Sequence, residues 1–203
     1  PRGLPDAFVV GEKFIGNNNV ALILGDNFFY GQSFTKQLLN AAKLKSGAKV
    51  FLYKVSNPES YGVAKINNNK IISIKEKPKK FFSDYAITGL YFFDKNVVAY
   101  SKKLKPSKRG EVEITDLLNK YKSKRKLKAG FIGRGGAWLD TGTIDDFYKT
   151  SAFVSSIENR QGLKIACLEE IALVNKWIGP SEINNAIKFY GNCSYSNYLK
   201  NLI

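Results

Sequence analysis

Val20-Ala21-Leu22-Ile23-Leu24 is an apolar run of strand length that stops on Gly25-Asp26-Asn27, and this strand-then-carboxylate pattern constrains the fold most. A continuous apolar run reads as a strand buried on both faces, the kind found in parallel sheets. Further runs of strand length lie at 48–55 and 86–93, separated by stretches of helical spacing at 33–45 and 94–104. Strands alternating with helices predict an α/β fold with a doubly wound, mixed or parallel sheet. Ligands of open α/β sheets collect beyond the carboxyl ends of strands, which is where Asp26 falls. A second carboxylate, Asp140, closes the apolar segment Ala137-Trp138-Leu139 and is followed by Thr141-Gly142-Thr143. Carboxylates from two distant segments suit one hard cation, Mg²⁺ where phosphates are also present. The pair therefore predicts metal-assisted phosphoryl or nucleotidyl chemistry.

The remaining pattern fills in around these runs. Residues 3–15 read as a helix with Leu4, Ala7, Phe8, Phe14 and Ile15 as its apolar face, and 27–31 as a loop. Ser33 is placed as the cap of the helix running to about Lys45. Segments 61–66 and 70–76, joined by Asn67-Asn68-Asn69, read as a hairpin, with alternation at Ile72, Ile74 and Glu76. A helix begins at Glu113, a strand follows at 127–132, and Thr143 caps a helix over 143–159 with Asp145 and Asp146 in its first turn. Beyond Gly162 only short helices are expected, at 168–177, 180–190 and 195–202. The expected organisation is an α/β domain over residues 1–160 and a small helical subdomain over 161–203.

Composition narrows the chemistry. With no histidine, His triads, His-liganded zinc and imidazole acid–base catalysis are excluded within this chain, so carboxylates, Lys, Arg and backbone groups must act. Cys167 and Cys193 make neither a metal spacing nor a disulfide framework and read as free thiols of a reducing cytoplasm. No apolar stretch reaches the roughly 18 residues needed to span a bilayer, so no membrane partner is expected. The net charge of +15 concentrates at 102–109 and 120–128. Cations suit the end of a helix and a solvated face. The alternative is a basic nucleic-acid-binding module over 102–128, against which stands the scarcity of aromatic residues there.

From PRGLPDAF (1–8) through LGDNFFYG (24–31), ESYGVAK (59–65), KEKP (75–78), YAITGLYFFD (85–94), KRGEVEITD (108–116), AWLDTGT (137–143) and ENRQGLKIACLEEIA (158–172), the sequence resembles the glucose-1-phosphate thymidylyltransferases, a family of sugar nucleotidyltransferases. The resemblance implies a Rossmann-like nucleotidyltransferase fold and Mg²⁺-dependent transfer of a thymidylyl group from dTTP to glucose 1-phosphate. The products would be dTDP-glucose, which feeds dTDP-rhamnose and polysaccharide synthesis, and pyrophosphate. It further implies a cytoplasmic homotetramer with no nucleic-acid polymer as partner. UTP- or ATP-dependent transfer is the alternative within the class.

On this resemblance Asp26 and Asp140 hold Mg²⁺, Lys77 binds phosphate, and Arg109 forks onto the sugar phosphate. Glu76 accepts from sugar hydroxyls, Gly62 lets backbone approach the hexose, and Ile87, Tyr91 and Trp138 wall the sugar pocket. Pro1, Gly3, Leu4 and Asp26 fall to the nucleotide. A regulatory nucleotide site is implied near Tyr30-Gly31, Gly133-Arg134 and residues 164–171, with Gln32-Ser33 where many members carry His. The chain opens without Met and is read as the later part of such an enzyme. The family's glycine-rich loop, of the form GGxGTRLxPxT, has no counterpart among the 203 residues. Such a loop cradles phosphates on backbone N–H groups, so this chain alone is expected to be inactive.

Overall fold

The computed structural model describes residues 2–203; Pro1, one of the expected nucleotide contacts, lies outside them. Two compact units divide between Thr141 and Gly142, earlier in the chain than the boundary expected at 160/161. No helix among the described residues is long and apolar enough to cross a membrane.

The first unit runs through α1 (Asp6–Val10), α2 (Glu12–Ile15), β1 (Val20–Ile23), β2 (Asn27–Gly31), α3 (Phe34–Ala42), β3 (Ala48–Lys54), β4 (Val63–Asn67), β5 (Lys70–Lys75), β6 (Tyr85–Phe93), α4 (Val97–Ser101), α5 (Ile114–Ser123), β7 (Leu127–Phe131) and β8 (Gly136–Asp140). Its main sheet has the order β5-β4-β6-β3-β7, with β1 also paired to β6. β6 is the centre, and almost all of Tyr85–Phe93 is buried. Thr88 Oγ1 in this strand donates to the Phe51 carbonyl at 3.1 Å. The sheet is mixed as expected; β3 and β7 pair in parallel, and the other ladders are antiparallel.

One core lies between the sheet and α1, α4 and α5, built from residues such as Val50, Leu52, Ile87, Phe93, Leu117 and Tyr121. Phe8 meets Phe93 edge-on at 5.2 Å between ring centroids, and burying a side chain of that size contributes about 1.5–3 kcal/mol. The opposite face carries a smaller cluster of Ala41, Phe51 and Leu90. Asp94 ties the first core together. Its buried carboxylate accepts from Gly47 N at 2.6 Å, Asn96 N at 3.0 Å and the Tyr121 hydroxyl at 2.9 Å. Burial alone would push that carboxyl up, but these donors outweigh it and hold it below its ordinary value.

Several local expectations change. β1 is not a strand buried on both faces: it lies antiparallel to the end of β6, and Ile23 is 57% exposed. Residues 27–31 are not a loop but β2, paired with β8 in a separate two-stranded ladder. Gly31 faces Gly136 there, where an added Cβ would come within 2.8 Å of the Gly136 Cα. The helix over 3–15 breaks at Gly11 into α1 and α2, burying Phe8 and Ile15 while Phe14 stands 91% exposed. Ser33 adopts a left-handed backbone and makes no side-chain cap. In β5 the buried residues are Ile71 and Ile74, not Ile72. A register shift opposite Lys65/Ile66 inserts Ile72 as a bulge and moves the alternation by one residue. The Asn68 and Asn69 turn, both at positive φ, confirms the hairpin.

The second unit holds α6 (Ile144–Gln161), α7 (Leu168–Val174), α8 (Pro180–Tyr190) and α9 (Ser194–Lys200). Thr143 caps α6 as expected, its side chain accepting from Asp146 N at 3.1 Å. Cys167, Ile183, Tyr198 and Leu199 form its core. Tyr190 and Tyr195 donate to Glu169, and Tyr198 donates to Glu170 at 2.6 Å. Both cysteines are free thiols.

Candidate active site

A cavity of about 240 Å³ opens in the first unit where β2, β6 and β8 meet the turns around Tyr61, Lys77 and Arg109. Gly62, Glu76, Lys77, Ile87, Tyr91 and Arg109 all line it, as do Trp138 and Asp140. The sequence-predicted sugar and phosphate groups are thus brought together from segments far apart in the chain.

The floor is aromatic. Trp138 is 6% exposed and meets Tyr61 at 5.0 Å between ring centroids. Ile87 and Tyr91 share one face of β6 and serve both core and cavity wall. Burial pushes the Tyr91 hydroxyl up, with the nearby Glu76 adding to the effect.

Glu76 sits at the cavity's back. Gly62 approaches it so closely that an added Cβ would lie 3.1 Å from Oε2 and 2.9 Å from Thr115 Cγ2. That is a steric reason for glycine in the Tyr61-Gly62 turn. Burial raises the Glu76 carboxyl above its ordinary value; Thr115, Lys77 and Arg109 oppose the rise, and Glu113 adds to it. Lys77 is held at φ +34, a strained backbone for a side-chain-bearing residue, with its N–H donating to the Tyr61 carbonyl at 3.1 Å.

Arg109 stands among carboxylates: Glu113 at 3.6 Å, Glu76 at 3.8 Å and Glu111 at 4.0 Å. All three exceed ordinary charge-assisted hydrogen-bond lengths. The guanidinium is therefore electrostatically held but not committed to any of these carboxylates, and its side chain is 46% exposed.

The segments that carry the two aspartates are joined by the β2–β8 ladder. Asn27 pairs with Asp140. Thr141 donates both its N–H and its hydroxyl to the Asp26 carbonyl at 2.8 Å. Asp140 lines the cavity, whereas Asp26 is exposed beside it, its Oδ1 accepting from Asn27 Nδ2 at 2.8 Å. No group of three or more His, Cys, Asp or Glu residues suited to a metal occurs among the described residues. Two hard oxygen donors near an open cavity fit Mg²⁺, which keeps waters and takes one or two carboxylates plus phosphate oxygens.

Sequence reasoning missed Asn27. Its Oδ1 accepts from Trp138 Nε1 at 2.6 Å and from Gly89 N at 2.9 Å. One side chain therefore orients the indole and joins β2 to β6. Gly89 is required beneath it, since a Cβ there would come within 2.5 Å of Asn27 Oδ1. A lone glycine inside the 86–93 strand was the available signal, because such a glycine marks close approach. Thr115 and Glu113 were also missed as cavity residues. Of the expected nucleotide contacts, Leu4 lines the cavity. Gly3 instead packs on backbone: at φ +142, its Cβ would lie 2.2 Å from the Val112 carbonyl oxygen.

Comparison with known proteins follows the same lines. The nucleotidyl transferase family matches residues 1–157. A glucose-1-phosphate thymidylyltransferase of Neisseria meningitidis serogroup A is 48% identical over the whole chain, which spans 71% of that protein. Its counterpart in Neisseria gonorrhoeae is 49% identical over the same share. Among solved structures, a Bacillus anthracis protein assigned to the glucose-1-phosphate thymidylyltransferases and holding a sucrose superposes with a TM-score of 0.64 at 42% identity. That match covers 74% of this chain and 60% of the other. A UDP-glucose pyrophosphorylase bound to UDP-glucose gives a TM-score of 0.66 at 25% identity, over 75% of this chain and 61% of that one.

Proposed function

The chain belongs to the nucleotidyl transferase family, and on that premise we propose that it carries the sugar-phosphate site of a glucose-1-phosphate thymidylyltransferase, joining dTTP and glucose 1-phosphate to give dTDP-glucose and pyrophosphate. The observation that carries this reading is the convergence of Glu76, Lys77, Arg109 and Trp138 with Asp140 on one cavity.

Each group has a part that follows from its surroundings. The Glu76 carboxylate, backed by Thr115, accepts hydrogen bonds from hexose hydroxyls, while Trp138 and Tyr91 exclude water from the apolar side of the ring. Arg109 and Lys77 supply donors and positive charge to the phosphate. Gathering charge from three carboxylates around Arg109 keeps its fork near the opening until an anion takes it up. Asp26 and Asp140 are the residues that would hold Mg²⁺, which when bound neutralises charge between the two phosphorylated substrates. The reaction is read as in-line attack of the sugar phosphate oxygen on the nucleotide α-phosphorus, so the residues position and stabilise charge and no acid–base side chain is required. The same reading makes the protein a cytoplasmic homotetramer supplying dTDP-glucose to dTDP-rhamnose and polysaccharide synthesis.

Titration of the 203-residue chain with glucose 1-phosphate, and with glucose as control, tests the site. Saturable binding of the phosphorylated sugar, weakened in Arg109→Ala, is the expected result; equal binding of both sugars would remove Arg109 from the role given to it. Turnover is read as pyrophosphate release from dTTP plus glucose 1-phosphate with Mg²⁺, with UTP and ATP in parallel. It is compared for this chain and for a version preceded by a GGxGTRLxPxT segment, and activity is expected only in the longer one. Preference for UTP would move the reading to the uridylyl branch.

A further inference from the structure

The outer strands β5 and β7 approach each other at one end of the first unit, and α5 packs against both. Between them lies a groove of about 690 Å³, separate in its lining residues from the cavity around Glu76. Lys70, Lys122, Arg125 and Lys128 all line it, together with Ile71, Leu127 and Ala129. No carboxylate lines the groove, and none of the four cations forms an ion pair among the described residues.

The arrangement is built. Lys122 Nζ donates at 3.3 Å to the carbonyl of Ile72, the residue that the β5 bulge displaces from its ladder. Arg125 stands at φ +56, a left-handed conformation that glycine ordinarily fills just past a helix end. Helix-end complementarity explains cations in the last turn of α5. It does not explain Lys70 from the hairpin or Lys128 from β7, which bring further like charge to the same opening. Lys128 also stands opposite Lys49 in the β3–β7 ladder. Burial together with that repulsion keeps the Lys49 ammonium below its ordinary value. Like charges drawn together at an edge are offset by a multiply charged counter-anion.

We propose that this groove binds a compact multiply charged anion of the linked-phosphate class, at a site distinct from the sugar cavity. Four cations exceed what a single monovalent anion satisfies. The volume is that of a small-molecule site. The lining offers no aromatic face on which a base could stack, which favours a short phosphate chain over a polynucleotide.

The probe is inorganic tripolyphosphate, titrated into the 203-residue chain at about 150 mM salt and followed by lysine-acylation footprinting. Lys70, Lys122 and Lys128 are expected to lose reactivity by about threefold or more, in Arg109→Gln as in the unaltered chain. Lys70→Gln/Arg125→Gln/Lys128→Gln should weaken binding by about tenfold or more. A control with the same charge change at exposed sites elsewhere, Lys13→Gln/Lys36→Gln/Lys188→Gln, should stay within about twofold. All these side chains are exposed, and unchanged melting of both variants establishes that folding is intact. Equal weakening in the control, protection spread over lysines outside the groove, or tighter binding of a single-stranded oligonucleotide than of tripolyphosphate would overturn the proposal.

Discussion

The cavity around Glu76 and the groove beside Lys122 arrange charge in opposite ways, although α5 contributes to both. In the cavity, Glu76, Glu111 and Glu113 surround a single guanidinium, with Lys77 alongside. Such a set asks for a ligand with hydroxyl donors for the carboxylates and one anionic group for Arg109. The groove is lined by cations and apolar residues with no acidic acceptor, so the fitting ligand carries acceptors and several negative charges. The N-terminal residues Ile114 and Thr115 of α5 stand at the cavity, and Lys122 in its last turn at the groove. The helix dipole thus favours negative charge at the first and holds cations at the second. Net charge is therefore a poor guide to either site. A chain at +15 still gathers carboxylates at the cavity and leaves the four cations of the groove without acidic partners among the described residues.

Asp140 separates the two sites by the largest effect. In a protein carrying these residues and turning over dTTP and glucose 1-phosphate, Asp140→Asn should lower turnover by at least about 10²-fold, the scale of a lost electrostatic stabiliser. Tripolyphosphate protection of Lys70 and Lys128 should be unchanged. Near-normal pyrophosphate release would take Asp140 out of the mechanism. A smaller effect belongs to Arg109→Ala, which should weaken glucose 1-phosphate by about 30-fold, or about 2 kcal/mol, the scale of a charge-assisted hydrogen bond. Calorimetric titration reads it. If the groove variant lost the same affinity, the two sites would not be separate.

Much of this site was legible in the sequence because its parts sit in local motifs. Trp138 and Asp140, two apart on one strand, share a face by strand periodicity alone. Glu76, Lys77 and Arg109 were placed by resemblance, since composition alone loses Lys77 and Arg109 among 32 basic residues and Glu76 among 17 acidic ones. Partnerships across long separations were not legible. β2 looked like a loop because its partner, β8, lies more than a hundred residues later. Asn27 was missed for the same reason, as Trp138 and Gly89 define its role. The β5 bulge was hidden too: alternation at Ile72 and Ile74 reads as regular until the ladder with β4 shows the inserted residue. Composition reported the cations of the groove but not that sheet curvature and α5 gather four of them.

Because α5 serves both sites, its anchor sharpens the comparison. Tyr121→Phe removes the hydroxyl that donates to Asp94 and should cost about 1–2 kcal/mol of stability at neutral pH, read by denaturant unfolding. The Asp94 carboxyl is held below its ordinary value, so its contribution is present above the unfolded value near about 4 and is lost as pH falls through the folded one. The gap between variant and unaltered protein should therefore narrow in acid. A gap that stayed constant down to about pH 2 would mean that the hydroxyl does not stabilise the charged form.

The smallest expected effect has the opposite sign. Burial raises the Glu76 carboxyl, so its contribution to stability is fully present below the unfolded value near about 4.3 and is lost as pH rises through the folded one. At neutral pH the ionised, part-buried carboxylate costs stability that Glu76→Gln should restore, by up to about 1 kcal/mol, with no gain in acid. The same variant should bind glucose 1-phosphate more weakly, because hexose hydroxyls lose a charged acceptor, while tripolyphosphate protection at the groove stays as it was. Parallel melts at about pH 4 and pH 7.5, with and without glucose 1-phosphate, measure both effects. If Glu76→Gln proved less stable than the unaltered chain at neutral pH, Arg109, Lys77 and Thr115 would already outweigh the burial. The cavity would then be charge-balanced before any ligand arrived, and its contrast with the groove would rest on shape rather than on charge.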